Sequence, residues 1–272
     1  MTVGIAGLGL IGGSIGLALR EPGRRILGFD PDPAAREIAK SRFCFDEEVS
    51  LPDVAQADIV FVCAPPDAIV QVLEEISITR GAQTWVTDCG SVKSDIARWA
   101  KASKADWFVP GHPMAGHEKG TARFATQSLF RDARWLLTPS EQTNPKAIKS
   151  IESLVIAMGA KPIRLPAAEH DQHVAVLSHL PHLVANALEA VAAPLSQREI
   201  SGGSWKDLTR VAGADPALWS QILAGNADAV SAAIDSMIKE LELAKSVVAT
   251  GDRDKLRLLL REASERKRVT AK

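Results

Sequence analysis

The chain has 272 residues, 46% of them hydrophobic and 24% charged, with a net charge of −1. That length leaves room for two domains with full cores, and the composition excludes a disordered or collagen-like chain. Near-neutral charge offers no footprint for nucleic acid or an anionic membrane surface, so neither is expected as a partner.

The three cysteines, Cys44, Cys63 and Cys89, form no CxxC pair, which suits a reducing cytoplasm better than a disulfide framework. Cys63 lies in an apolar run and reads as a small core residue. The N-terminus carries no basic region or cleavage site of a signal peptide. No apolar run approaches the ~20 residues needed to span a bilayer. A cytoplasmic protein is therefore expected.

Val3-Gly4-Ile5-Ala6 reads as a strand running into Gly7-Leu8-Gly9-Leu10-Ile11-Gly12-Gly13-Ser14, after which Ile15-Gly16-Leu17-Ala18-Leu19 has helical period. GxGxxG between a strand and a helix is the setting in which glycines let a backbone approach a pyrophosphate at a helix N-terminus. Gly7, Leu8, Gly9, Leu10, Ile11 and Gly12 are thus cofactor-binding candidates. A second strand, Arg25-Ile26-Leu27-Gly28-Phe29, ends in Asp30, eighteen residues after Gly12. A carboxylate there takes hydrogen bonds from ribose hydroxyls and repels a 2′-phosphate, which favours NAD over NADP.

The βα alternation continues. Asp58 to Cys63 reads as a buried strand, with Ala64 and Pro65 at its cofactor-facing end, and Trp85-Val86-Thr87-Asp88 is the next strand. It leads into Cys89-Gly90-Ser91-Val92-Lys93 and a helix from Ser94. Trp107-Phe108-Val109 reads as a short strand before the loop Gly111-His112-Pro113-Met114-Ala115-Gly116-His117-Glu118. Trp135 to Pro139 and Lys161 to Leu165 complete a doubly wound parallel sheet, an α/β fold. Ligands bind at the carboxyl ends of such strands, where His112 is a candidate general base and Ser91 either a site residue or a helix N-cap.

After Leu165-Pro166 the strand signal stops, giving an expected division into residues 1–165 and an all-helical part, residues 166–272. The segment from Ala168 to His182 has helical period, with Pro181 expected to kink or break it. All six histidines fall between positions 112 and 182. None has HExxH spacing, and no Cys or Asp stands at ligand spacing, so no metal site is expected. Arg210 is a candidate carboxylate clamp, although an arginine on a helix is as readily solvated or ion-paired. Asp215-Pro216 starts a helix cleanly. Val230, Ile234, Met237, Leu241, Ala244 and Val248 form a narrow stripe that suits either this part's own core or a dimer seam. The basic tail, Arg266-Lys267-Arg268, reads as loosely ordered.

Together GLGLIGGS, DCGSVK, GHPMAG, EHD…SHLPH and GGSWKDLTRVAGADPALW resemble the prephenate/arogenate dehydrogenase family of tyrosine biosynthesis, over nearly the whole chain. The resemblance implies a Rossmann domain followed by a helical dimerisation domain, hence a homodimer, with the active site in the cleft between them. It implies NAD-dependent oxidative decarboxylation of a cyclohexadienol, with His112 as base at the 4-hydroxyl and Ser91 bonded to that hydroxyl and to His112. Arg210 resembles the arginine that binds a substrate carboxylate, and His182 and Trp219 resemble residues that shape the pocket. His170 and Glu118 match further polar positions of the cleft. His117 departs from the small hydroxyl residue frequent there. It gives the ammonium of arogenate no partner, so prephenate is the expected substrate, with arogenate the alternative. A β-hydroxyacid dehydrogenase would need a GxxxK lysine segment that is missing. A non-catalytic NAD-binding sensor would leave Ser91, His112 and Arg210 without a purpose.

Overall fold

The computed structural model describes residues 1–116 and 120–270. Its first half alternates strand and helix: β1 (Thr2–Ala6), α1 (Leu10–Ala18), β2 (Arg25–Phe29), α2 (Pro33–Ser41), β3 (Glu47–Glu48), α3 (Leu51–Val54), β4 (Ile59–Val62), α4 (Ile69–Thr79), β5 (Trp85–Asp88), α5 (Ser94–Ala102) and β6 (Phe108–Val109). The six strands form one parallel sheet in the order β3-β2-β1-β4-β5-β6. The chain therefore winds outward one way from β1 and then reverses to β4, which opens a crevice at the carboxyl ends of β1 and β4.

Strand period explains why both faces are covered. Ile59 and Phe61 face one buried cluster with Ile5, Ile15 and Trp135, while Val60 and Val62 face a second with Leu73, Val86 and Phe108. Strands buried on both sides must be apolar throughout, and β4 is wholly buried. This much accords with a doubly wound sheet.

The expected later strands depart from it. β7 (Gly111–Pro113), β8 (Arg134–Leu137) and β9 (Lys161–Arg164) make a separate three-stranded sheet, with α6 (Pro145–Ala157) between β8 and β9. β8 pairs with β7 antiparallel and with β9 parallel. Pro110 separates β6 from β7; it has no N–H for a ladder, and its carbonyl turns to accept from Thr138 N at 2.9 Å. His112, expected in a loop, thus sits in a short strand opposite Leu136.

From β9 the chain passes into helices: α7 (Ala167–Val174), α8 (Leu180–Ala192), α9 (Gly203–Thr209) and α10 (Pro216–Gly225). Pro181 does not break the run. It stands in the first turn of α8, and a wide π turn over Ala175–His179 precedes it, where a proline ring and a missing N–H are tolerated. Taken as one helical run, Ala167–Ala192 has 26 residues and a stretch of mean hydropathy 1.3, enough to cross a membrane by length and composition alone. No apolar run of that length was expected; the stretch qualifies as an average over a window in which histidines stand among the apolar residues. Three of them, His170, His179 and His182, are buried inside the fold. As expected, Asp215 caps α10, accepting from Ala217 N at 2.9 Å.

The chain divides into two compact units, Met1–Ala227 and Asp228–Lys272. The second consists of α11 (Ala227–Ala249) and α12 (Arg253–Thr270), joined by a turn in which Gly251 takes φ +64°. Arg266-Lys267-Arg268 is helical within α12, a correction to the loosely ordered tail expected there.

Candidate active site

The glycine loop fits a nucleotide by what it excludes. Gly7 takes φ +104°, and a Cβ there would lie 2.5 Å from the Cys63 carbonyl oxygen; one on Gly12 would lie 1.9 Å from that of Gly7. The loop is thus drawn flat against the sheet edge, and Gly9 caps α1 without a side-chain hydrogen bond; the Leu10 amide donates to the Gly120 carbonyl at 2.9 Å, so an anion would meet the other amides of the first turn. Leu8 is fully buried, Leu10 is buried and Ile11 is half-buried. Asp30 stands beside the loop, and its Oδ2 accepts from Leu8 N at 2.7 Å. Ala64 and Pro65 follow β4 at the same edge.

Facing this edge is a chain of buried polar groups. Asp171 Oδ1 lies 2.8 Å from His170 Nδ1, and His170 Nε2 lies 2.9 Å from His112 Nδ1. Their burial is near complete, with His112 8% exposed and His170 at zero. From α7, Asp171 also accepts hydrogen bonds at the start of α5. It accepts from Lys93 N and Ser94 N at 2.8 Å each, and from the Ser94 hydroxyl. A carboxylate at a helix N-terminus is favoured by the dipole there. Burial works to raise the Asp171 pKa, yet its bonds from His170, Ser94 and the two backbone amides outweigh that and hold it below the ordinary carboxylate value.

Asp88, at the end of β5, anchors the strand that carries His112. Its Oδ1 accepts from Gly111 N at 3.0 Å, its Oδ2 accepts from Gly90 N at 2.8 Å, and it forms a fully buried ion pair with Lys93. Burial first, and then His170, Lys93 and His179, push the His112 pKa well below that of a free imidazole. His179 falls to about 4, chiefly through burial. Asn226 bridges His179 Nδ1 at 3.3 Å and the Asp171 carbonyl at 2.8 Å. His182 stacks flat on Trp219, with ring centres 3.6 Å apart, and burial lowers its pKa too. Its buried Nδ1 has no partner among the described residues.

The other sequence-predicted residues fall as follows. Ser91 is half-buried between β5 and α5, with no hydrogen bond to His112 among the described residues. Nor is it the N-cap of α5, which starts at Ser94 with Lys93 in the cap position. Arg210 is exposed where α9 ends, and no carboxylate pairs with it among the described residues. His117 and Glu118 lie outside the described residues. Asp171 and Asn226 escape detection in the sequence because their partners lie far along the chain, and Asp88 and Lys93, five residues apart, because only the fold shows that both are buried. The local signals are that Asp171 directly follows His170 and that Asp88 and Lys93 open and close the DCGSVK stretch.

The family model for the prephenate dehydrogenase nucleotide-binding domain matches residues 15–164, and that for the prephenate dehydrogenase dimerization domain matches residues 166–262. Prephenate dehydrogenase of Bacillus subtilis is 32% identical over 268 residues, covering 94% of this chain and 72% of the relative. Among solved structures, prephenate dehydrogenase from A. aeolicus in complex with hydroxyphenyl propionate and NAD+ superposes with a TM-score of 0.89 at 29% identity. It covers 99% of this chain and 98% of that one. Synechocystis arogenate dehydrogenase gives 0.84 at 29% identity, covering 99% and 100%. Rossmann sheet, glycine cradle and facing histidine define the class, an oxidoreductase with a nucleotide-binding domain. Within that class, the chain belongs to the prephenate dehydrogenase family.

Proposed function

We propose that the protein catalyses NAD-dependent oxidative decarboxylation of prephenate to 4-hydroxyphenylpyruvate, as a cytoplasmic homodimer with a nucleotide domain over residues 1–165 and a helical domain over residues 166–272. The observation that carries this reading is the Asp171–His170–His112 chain. An ionised carboxylate only accepts, so the proton sits on His170 Nδ1 and His170 Nε2 is an acceptor. His112 Nδ1 must then carry the hydrogen, which leaves His112 Nε2 with its lone pair. A neutral imidazole with one defined basic nitrogen is what removal of the substrate 4-hydroxyl proton requires. The proton gained by His112 is stabilised through His170 by the Asp171 charge.

NAD, when bound, accepts the hydride that leaves C4. Gly7, Gly9 and Gly12 would cradle its pyrophosphate with the flanking Leu8, Leu10 and Ile11, Asp30 its ribose, and Ala64 and Pro65 the rest of its edge. Loss of the ring carboxylate as carbon dioxide makes the ring aromatic, so the chain's own residues need only orient the substrate and take the proton. Arg210 would hold a substrate carboxylate through its exposed guanidinium. Ser91 would donate to the 4-hydroxyl, and His182 with Trp219 would wall the pocket, the unpartnered Nδ1 of His182 offering a polar contact. By the family resemblance His117 and Glu118 would stand on the substrate side, where His117 would leave an ammonium group unmatched, whereas His170, fully buried with both ring nitrogens engaged, would act through His112 rather than touch the substrate. Arogenate is the second reading, supported by the likeness to the Synechocystis arogenate dehydrogenase. NADH formation with each substrate side by side tests both. Turnover of prephenate supports the proposal, and turnover of arogenate alone replaces it.

A further inference from the structure

Two of the three thiols meet at the cofactor edge of the sheet. Cys63 and Cys89 directly follow Val62 and Asp88, the last paired residues of β4 and β5, so they are neighbours in register. Both pack toward the same buried cluster, both are half-buried, and their Sγ atoms lie 3.6 Å apart. Adjacent strands run about 4.8 Å apart, inside the Cα spacing of about 4.4–6.8 Å that a disulfide accepts. Closing the sulfurs to about 2.05 Å is within reach of side-chain rotation and a small approach of the strand ends. Cys44, by contrast, is fully buried, with its sulfur 4.0 Å from the Arg42 carbonyl oxygen.

We propose that Cys63 and Cys89 form a redox-modification site, a dithiol whose oxidation by a peroxide to a disulfide weakens nucleotide binding in the adjoining cradle. The Cys63 sulfur attacks one oxygen of hydrogen peroxide; the O–O bond breaks, water leaves, and a sulfenic acid forms. The Cys89 sulfur then displaces the hydroxyl as a second water and makes the S–S bond. Two thiols lose two protons and two electrons, and one peroxide becomes two waters. Burial and the contact with Cys63 push the Cys89 thiol well above its ordinary pKa, so the first attack falls to Cys63, and Cys89 gives up its proton to the departing hydroxyl as it attacks the sulfenic sulfur. A dithiol reductant returns both electrons.

The link to the cradle is mechanical. The Cys63 carbonyl is the wall against which Gly7 turns, at 2.5 Å from where a Cβ would stand. Asp88, next to Cys89, holds Gly90, Gly111 and Lys93. Drawing the two strand ends together disturbs the wall behind the glycine turn and the anchor of the His112 strand together.

The test treats the reduced full-length protein with hydrogen peroxide and follows free thiols, non-reducing peptide masses and NAD affinity by titration calorimetry. The expected result is a fall from three titratable thiols to one, a linked Cys63–Cys89 peptide, and an NAD Kd raised about tenfold, all reversed by dithiothreitol. Cys89→Ala and Cys89→Ser should keep the affinity of the reduced wild type and not lose it on oxidation. Absence of the linked peptide overturns the proposal, as does a linked peptide with unchanged affinity or equal loss of affinity in both Cys89 variants. The affinity arm rests on the NAD reading above. Reduced protein that fails to bind NAD would sink that reading, while the linked peptide still decides the dithiol.

Discussion

Because an ionised carboxylate can only accept hydrogen bonds, Asp171 decides, two rings away, which nitrogen of His112 is basic. Replacing His112 with Asn should lower kcat by about 10²–10⁴ while NAD affinity, measured by calorimetry, stays within error. Asp171→Asn should act through the tautomer. Its amide can donate to His170 Nδ1, which places the hydrogens the other way along the chain and leaves Nε2 of His112 protonated. A kcat loss comparable to that of His112→Asn is expected, together with about 1–3 kcal/mol of stability from the weakened bonds at the start of α5. A kcat within twofold of wild type would remove the tautomer argument. Acidity adds a second test. The folded pKa values of His112 and His179 lie below the ordinary 6.5, that of His179 at about 4. The unfolded chain therefore binds protons between pH 6.5 and 4 that the folded chain refuses, and stability falls as pH falls through that window. Thermal melts should show it, and the acid limb of kcat/KM should lie below 6.5. His112 itself was legible in the sequence through its proline–glycine setting. Its partners were not, because Asp171 lies 59 residues further along and only the fold brings them together.

At the scale of elements, the Rossmann half was legible because its signals are local: glycine spacing, strand period and an acid at the end of β2. Pairing partners are not local, so β7, β8 and β9 could be recognised as strands or loop without showing that they leave the main sheet and reverse one neighbour. The helical half was legible in outline, but the π turn over Ala175–His179 was not. It depends on neighbours that bury His179 and bond it to Asn226, and a sequence window contains neither. The glycine cradle gives the sharpest test of an element. A Cβ at Gly12 would come within 1.9 Å of the Gly7 carbonyl oxygen, and two backbone segments cannot yield as a side-chain tip can. Gly12→Ala should cost about 1–3 kcal/mol of stability and weaken NAD binding at least about tenfold. Unchanged affinity in a calorimetric titration would mean that α1 does not approach the cofactor.

At the scale of the molecule, the question is what covers the apolar surface of the helices. Leu177, Val191 and Leu195 in the first unit are 75%, 78% and 63% exposed, and Leu241 and Val248 on α11 are 60% and 62% exposed. Each unit thus carries exposed leucine and valine on its helices. Residues 166–262 match the dimerization domain of the family, which points to a second copy as the cover. Along the stripe Val230, Ile234, Met237, Leu241, Ala244 and Val248, Val230 is buried in the single chain while Leu241 is exposed, so a seam on α11 would lie toward Leu241. Light scattering on the eluting protein should give twice the 29.1 kDa of one chain. Leu241→Glu places a charge that a dry seam cannot solvate, and should shift the protein toward one-chain mass in a concentration-dependent way. NAD binding should survive the change, because the glycine cradle belongs to the compact unit Met1–Ala227. A Leu241→Glu protein that stays at twice the chain mass would exclude this stretch of α11 from the interface.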